Sequence, residues 1–290
     1  MKTIGLAPNP HKPKAVRLAA DLAGWLGRKN VRALVTEDAA ICAQEGAAVV
    51  SEEDLLASDL LLVLGGDGTM LRWSRVAAPK GVPMLGVNFG QYGFITEVHP
   101  QQVREAVERY LEGECRISER TVLEAEIAGR GAAAVSYALN DVVVTKGPQG
   151  RMLALRTYVN DRFIATYATD GIIVATPTGS TAYSLSAGGP VVSPDVEALI
   201  ITPICAHTLN ARSLVVPDSE RVRIVGECQA DNQSMTLMVD GQVGGHLDGE
   251  DTVEVRKAGF KARLVQISAQ SFYDKLQTRL RWGERISADD

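Results

Sequence analysis

Residues 60–69, LLLVLGGDGT, run five apolar side chains into Gly65, Gly66, Asp67, Gly68 and Thr69, and a helix-like run over 70–78 follows. That order reads as a buried strand, a tight turn and a helix start. Glycines there let backbone N–H groups approach phosphate oxygens, and the helix N-terminus adds positive potential. A glycine-rich turn can equally be only a turn. Asp67 shifts the balance: a carboxylate repels bound phosphates, so its place is that of a metal ligand or a proton acceptor. The pattern is neither the Walker loop ending in Gly-Lys-Ser/Thr nor the dinucleotide GxGxxG.

A second polar cluster occupies 170–190, DGIIVATPTGSTAYSLSAGGP. Hydroxyls at Thr176, Thr178, Ser180, Thr181, Tyr183, Ser184 and Ser186 surround Gly179 before a short helix beginning near Thr181. Together they suit a loop that hydrogen-bonds ribose or phosphate, although any one of them could merely cap its own backbone. Asn140-Asp141 interrupts the apolar run 139–144. Neighbours on a strand point to opposite faces, so a strand end or bulge aimed at a site would resolve the conflict. Asp170 and Asn88 suit a turn as well as a ligand contact. Arg72 and Arg151 could pair with phosphates or be solvated, and His207 could cap or catalyse.

These residues need a scaffold. Strand patterns at 3–7, 31–35, 60–64 and 82–87 alternate with helical patterns at 15–26, 70–78 and 101–112, and Ser51 with Asp54 marks a short helix start. The alternation predicts an α/β N-terminal domain with a parallel sheet, whose ligand edge carries the turns at 65–69 and 88–94. Glu105 and Arg109 are spaced to pair on a solvated helix face. From 122 the rhythm changes to short strands at 122–127, 136–145, 153–159, 163–167, 171–175, 222–225, 235–239, 252–255 and 263–268. Asn160-Asp161 and Asp240-Gly241 are hairpin signals. A mostly antiparallel all-β C-terminal domain is expected. Helix 271–280, with Phe272, Leu276 and Leu280 on one stripe, closes the chain and packs back on the first domain. The expected division is 1–120 with about 270–290, and a β-rich 121–269.

The chain has 290 residues and a net charge of -5, which argues against a general nucleic-acid binder. Apolar runs break well short of a membrane span, and Met1-Lys2-Thr3 leads into a strand rather than a signal peptide, so a cytoplasmic protein is expected. Cys42, Cys115, Cys205 and Cys228 form no C-x-x-C pair and read as small buried apolar thiols. The four histidines are dispersed, with no H-E-x-x-H and no G-x-S-x-G elbow.

In combination these pieces resemble the NAD kinase family. GGDGT at 65–69 is shared with diacylglycerol and sphingosine kinases. Gly86-Val87-Asn88 with Gly93-Phe94, then Asn140-Asp141, then TPTGSTAYSLSAGGP at 176–190 are more specific, and they stand in the family's order. The likeness runs from Ile4 to about Ser268. One departure is Asn140-Asp141, where the family more often has Asn-Glu.

The resemblance implies phosphoryl transfer from ATP, or from inorganic polyphosphate, to the 2′-hydroxyl of the adenosine ribose of NAD. It implies Asp67 as proton acceptor, and Gly65, Gly66, Gly68, Thr69 and Arg72 around ATP phosphates. For NAD it implies Asp67, Gly68, Asn88, Phe94, Asn140, Asp141, Arg151, Ala168, Asp170, Thr178, Thr181, Ala182, Tyr183, Ser184, Leu185, Ser186 and Gln242. Mg²⁺ or another divalent cation would arrive with ATP, without a protein metal cage. NAD and ATP are the expected partners, with no nucleic acid and no membrane, in a homodimer or homotetramer built through the β domain. The rivals are a lipid kinase of the same superfamily and a non-catalytic NAD or NADP sensor. The hydroxyl-rich loop favours a nucleotide over a lipid, and Asp67 counts against a pure binder.

Overall fold

The computed structural model describes residues 1–90, 93–128, 135–147, 152–227, 235–248, 251–268 and 270–280. In the first half, β1 (Thr3–Pro8), β2 (Arg32–Val35), β3 (Ala48–Val49), β4 (Leu60–Gly65) and β5 (Met84–Asn88) are parallel neighbours in the order β5-β4-β1-β2-β3. All six residues of β4 are buried, as befits a strand covered on both faces. One cover is α1 (Pro13–Arg28), which opens on a proline and turns Ala15, Ala19, Leu22 and Leu26 onto Ile4, Leu6 and Leu62. Val103 and Val107 of α4 (Val103–Glu112) join that cluster. On the other face, α3 (Asp67–Ala77) lays Met70, Trp73 and Ala77 against Leu61, Val63 and Met84. Each such leucine buried contributes roughly 2 kcal/mol. The short α2 (Glu52–Leu55) is capped by Ser51, whose Oγ accepts the Asp54 N–H at 3.1 Å.

The second half comprises β6 (Arg116–Ile127), β7 (Val135–Ala138), β8 (Asp141–Lys146), β9 (Leu153–Val159), β10 (Arg162–Thr169), β11 (Gly171–Ala175), α5 (Tyr183–Ser186), β12 (Ala198–Ile204), β13 (Leu214–Pro217), β14 (Val222–Gly226), β15 (Met235–Val239), β16 (Gln242–Leu247), β17 (Thr252–Gln266) and α6 (Phe272–Leu280). A sheet in the order β13-β12-β11-β8-β15-β16 is antiparallel throughout. It packs face to face on β9, β14, β6 and β17 through a core that includes Leu155, Val174, Leu237 and Val255. The turns at Asn160-Asp161 (φ 47° and 65°) and Asp240-Gly241 (φ 47° and 74°) have the paired positive φ of two-residue hairpins.

The two halves share a strand. β17 pairs antiparallel with β6 and β14, and at Leu264 it lies parallel to Met84 of β5. Among the described residues the larger sheet therefore has eleven strands, ordered β10-β9-β14-β17-β5-β4-β1-β2-β3, with β6 and β7 branching beside β17. The runs expected as separate strands at 252–255 and 263–268 are one strand, with a shift in register between Lys257 and Lys261. Polar residues at 256, 257 and 261 hide the continuity, but Ala258 and Ala262 stay buried. The expected boundary at 120/121 falls inside β6, and the expected strand 136–145 is broken at 139–140 into β7 and β8. Arg109 does not need Glu105: its Nη1 donates to the Ile267 carbonyl at 2.9 Å. Of the cysteines expected to be buried, Cys42 is buried, Cys115 is half-buried and Cys205 is exposed, at a positive φ of 47° just past the end of β12, and Cys228 lies outside the described residues. Among the described residues no helix is long and apolar enough to cross a membrane.

Candidate active site

β4 ends at Gly65 and α3 begins at Asp67, which puts the aspartate on a helix N-terminus at the carboxyl edge of the parallel sheet. Its carboxylate is already engaged. Oδ2 accepts the N–H groups of Phe94 (2.8 Å) and Ile95 (3.4 Å); Oδ1 accepts the Thr96 N–H (3.0 Å) and the Thr96 hydroxyl (2.9 Å). Two donors on each oxygen fill the carboxylate's acceptor sites. Gly93 is required by this arrangement, because a Cβ there would overlap the Asp67 carboxylate. The connection from β1 to α1 is latched to the same turn: Asn9 Nδ2 donates to Thr69 Oγ1 (3.2 Å) and Lys12 Nζ to the Gly65 carbonyl (3.3 Å). Lys12 and Thr96 carry no motif signature, so sequence reasoning passes over them.

Asn140 and Asp141 stand at a strand end, since β8 starts at Asp141. Asp240 holds that end in place. Its Oδ1 accepts the N–H groups of Asn140 (2.8 Å) and Asp141 (3.2 Å), and its Oδ2 that of Leu139 (3.0 Å). Sequence reasoning sees Asp240 only as a turn former. Asn140 Oδ1 is buried with no hydrogen-bond partner among the described residues, an uncommon condition for a polar atom in a folded chain. Burial, then the charge of Asp240, pushes the Asp141 carboxyl up to about 7. Asp240 is also raised by burial, while the three N–H groups and Arg75 pull it back.

The 176–186 loop is clamped onto the same strand end. The Thr176 N–H and hydroxyl donate to the carbonyls of Asn140 (2.9 Å) and Leu139 (2.6 Å). Gly179 approaches so closely that a Cβ would overlap the Asn140 backbone. Ser180 hydroxyl donates to the Pro177 carbonyl (2.7 Å) and accepts the Val192 N–H (3.0 Å), and Ser184 pairs with the Thr202 hydroxyl (3.0 Å). Those three hydroxyls serve the loop itself. Thr178, Thr181, Ala182 and Tyr183 face cavities.

Residues of this loop line two cavities. The first, about 660 Å³, is lined in part by Phe94, Arg120, Thr178, Thr181 and Lys275. The second, about 400 Å³, is lined by Leu71, Asn140, Asp141, Ala182, Tyr183 and Asp240, and continues along Val143 and Thr145 of β8. Thr181 faces the first and Ala182 the second.

Other expected residues lie apart from this pair. Asp170 takes an ion pair from Lys146 at 2.7 Å. Gly171 lies opposite Thr145 while Ala175 lies opposite Asp141, so Asp170 is at the far end of the strand pair, roughly 17 Å along it. Thr145 connects the two ends, because it lines the second cavity and its hydroxyl donates to the Asp170 carbonyl at 3.1 Å. The Ala168 carbonyl accepts the His207 N–H (2.8 Å), and Gln242 Oε1 accepts from Arg75 Nη1 (3.0 Å). Arg72 lies 5.8 Å over the Trp73 ring, and Asn88 Oδ1 accepts the Gly90 N–H at 3.0 Å. Leu185 and Ser186 line neither cavity. Arg151 lies outside the described residues. Among the described residues no group of three His, Cys, Asp or Glu side chains is placed to hold a metal.

Residues 4–115 match the family described as the ATP-NAD kinase N-terminal domain, and residues 139–267 the ATP-NAD kinase C-terminal domain. A NAD kinase of Moorella thermoacetica is 43% identical over 293 residues, spanning 100% of this chain and 93% of that protein. One of Heliobacterium modesticaldum is 42% identical over 284 residues, spanning 98% and 100%. Among solved structures, a yeast NADH kinase complexed with NADH superposes with a TM-score of 0.90 at 26% identity, over 100% of this chain and 90% of that one. A NAD kinase from Archaeoglobus fulgidus in complex with ATP has the same fold, with a TM-score of 0.74 at 23% identity, over 97% and 99%.

Proposed function

The chain belongs to the NAD kinase family, and from that premise we propose that it transfers the terminal phosphoryl of ATP to the 2′-hydroxyl of the adenosine ribose of NAD, making NADP. One observation carries the reading. The cavity lined by Asn140, Asp141 and Tyr183 also touches Leu71, one helical turn beyond Asp67. A nucleoside seated there puts its ribose beside the glycine turn. In this reading Asn140 Oδ1, without a hydrogen-bond partner among the described residues, accepts from an adenine amino group, Asp141 holds ribose hydroxyls, and the cavity's extension along Thr145 leads toward Asp170 for the nicotinamide end.

Phosphoryl transfer through a loose transition state asks for alignment and charge neutralisation more than for a strong base. Asp67 aligns the 2′-hydroxyl and accepts its proton late in the transfer. For this, one donor from 94–96 must give way. The Thr96 hydroxyl is the one that can rotate without moving backbone. Gly65, Gly66, Gly68, Thr69 and Arg72 surround the donor phosphates, with Lys12 adding a cation at the Gly65 carbonyl. A divalent cation would arrive chelated by the donor phosphates and water. Bound there, it would supply charge neutralisation. Inorganic polyphosphate could serve as donor through the same contacts. The edge strand β10 exposes Phe163 and Ile164, which favours a homodimer or homotetramer assembled through the β-rich half. We assign the protein to the cytoplasm.

The test is incubation of the purified chain with NAD, ATP and Mg²⁺, with NADP read by an NADP-specific dehydrogenase. NADP formed only when donor is present is the expected result. No NADP under conditions where NAD binds would overturn the proposal in favour of a sensor.

A further inference from the structure

The larger cavity holds basic side chains that form no ion pair with the described residues. Lys275, on α6, is only 8% exposed and lines this cavity. Its ammonium makes no hydrogen bond or ion pair with the described residues. Burial holds its pKa down, while Glu97 and Asp67 pull the other way, so it lies within electrostatic reach of the aspartate at the glycine turn. A buried ammonium with no hydrogen-bonded counter-ion is costly, and an anion from outside the chain would offset that cost.

Arg120 of β6 faces the same space. Its Nε donates to Ser118 Oγ at 2.8 Å, and its guanidinium forms no ion pair among the described residues. Arg116 and Ser118, on the same face of β6, also line the cavity. The acidic side chains nearby are Glu119 and Asp195 on the lining, and Glu97, whose Oε1 already accepts the N–H and hydroxyl of Ser268 at 2.9 and 2.6 Å. Neither Lys275 nor Arg120 is neutralised by contact with them.

The cavity also adjoins the reacting groups. Phe94, whose N–H binds Asp67, lines it, and so does Thr181, whose neighbour Ala182 lines the nucleoside cavity. Resting on the kinase reading above, we propose that Lys275 and Arg120 receive the polyphosphate chain of the phosphoryl donor in this cavity, while the acceptor occupies the one lined by Asn140 and Asp141. Here they supply the fixed positive charge that a phosphate-loop lysine supplies elsewhere. Neither residue belongs to a recognised motif.

The experiment uses the full chain with Lys275→Met and Lys275→Arg, with thermal unfolding as the fold control. In Lys275→Met the donor KM should rise about 10- to 100-fold while the KM for NAD stays within about threefold. Lys275→Arg should recover most of the loss. Because Met replaces an unpartnered buried charge, the Met variant should melt no lower than the wild type. Binding of inorganic tripolyphosphate, measured by calorimetry without NAD, should be clear in the wild type and lost in Lys275→Met. An unchanged donor KM, equal rises in both KM values, or equal tripolyphosphate binding by the two proteins would each overturn the proposal. If the wild type made no NADP yet bound tripolyphosphate through Lys275, the kinase reading would fail while the anion site stood. Absence of tripolyphosphate binding to the wild type would end the proposal itself.

Discussion

Asp67 has four donors on two oxygens, so its readiness to take a proton depends on what Thr96 does. Replacing Asp67 by Asn preserves the shape and leaves oxygen for only part of that set. The expected outcome is a kcat lower by about 10²- to 10⁴-fold, with NAD affinity by calorimetry within about threefold. Near-normal turnover would remove Asp67 from the proposed role. The position of Asp67 is readable from sequence because a glycine turn after five apolar residues admits few structures. Its partners are not, since Thr96 and the N–H groups of Phe94 and Ile95 are ordinary residues brought in by the fold.

At the scale of elements, the start of β8 depends on a single side chain from the β15–β16 hairpin. Asp240→Ala would leave the N–H groups of Leu139, Asn140 and Asp141 without their acceptor. A loss of about 3 kcal/mol in denaturant unfolding is expected, with NAD binding weakened at least tenfold. Unchanged binding would mean that the turn holds itself. Asp141 adds a dependence on pH. Its folded pKa lies near 7, above the ordinary 3.8, so its contribution to stability is complete at low pH and is lost as pH rises through about 7. Asp141→Asn removes that loss. The Tm difference, variant minus wild type, should therefore grow from pH 5 to pH 8, by an amount on the order of 3 kcal/mol in stability. A pH-independent difference would contradict the buried-acid account. The hairpin at Asp240-Gly241 is evident from its residues, but the carboxylate's grip on a strand a hundred residues away is a tertiary contact that local pattern does not carry. The hydroxyl loop divides in a similar way: its composition announces a site, while only packing separates Ser180 and Ser184, spent on the loop, from Thr178 and Thr181, which face a cavity.

For the whole molecule, β17 is the joint. It lies in one sheet with β5 of the first half and β14 of the second, so neither half can lose it and keep its own edge. Calorimetry should show one unfolding transition, whereas two well-separated transitions would mean that the halves are independent. The alternating strands and helices of the first half and the short strands of the second are visible in the periodicity of apolar residues. Their fusion is not, because Arg256, Lys257 and Lys261 break the pattern where the register shifts.

The most direct measurement of the central claim is the site of phosphorylation on the product. Phosphorus NMR of the material formed from NAD and ATP should show one new phosphomonoester on the 2′-oxygen of the adenosine ribose, absent when Asp67→Asn replaces the wild type. A phosphate on another oxygen, or the same yield from the variant, would contradict the account.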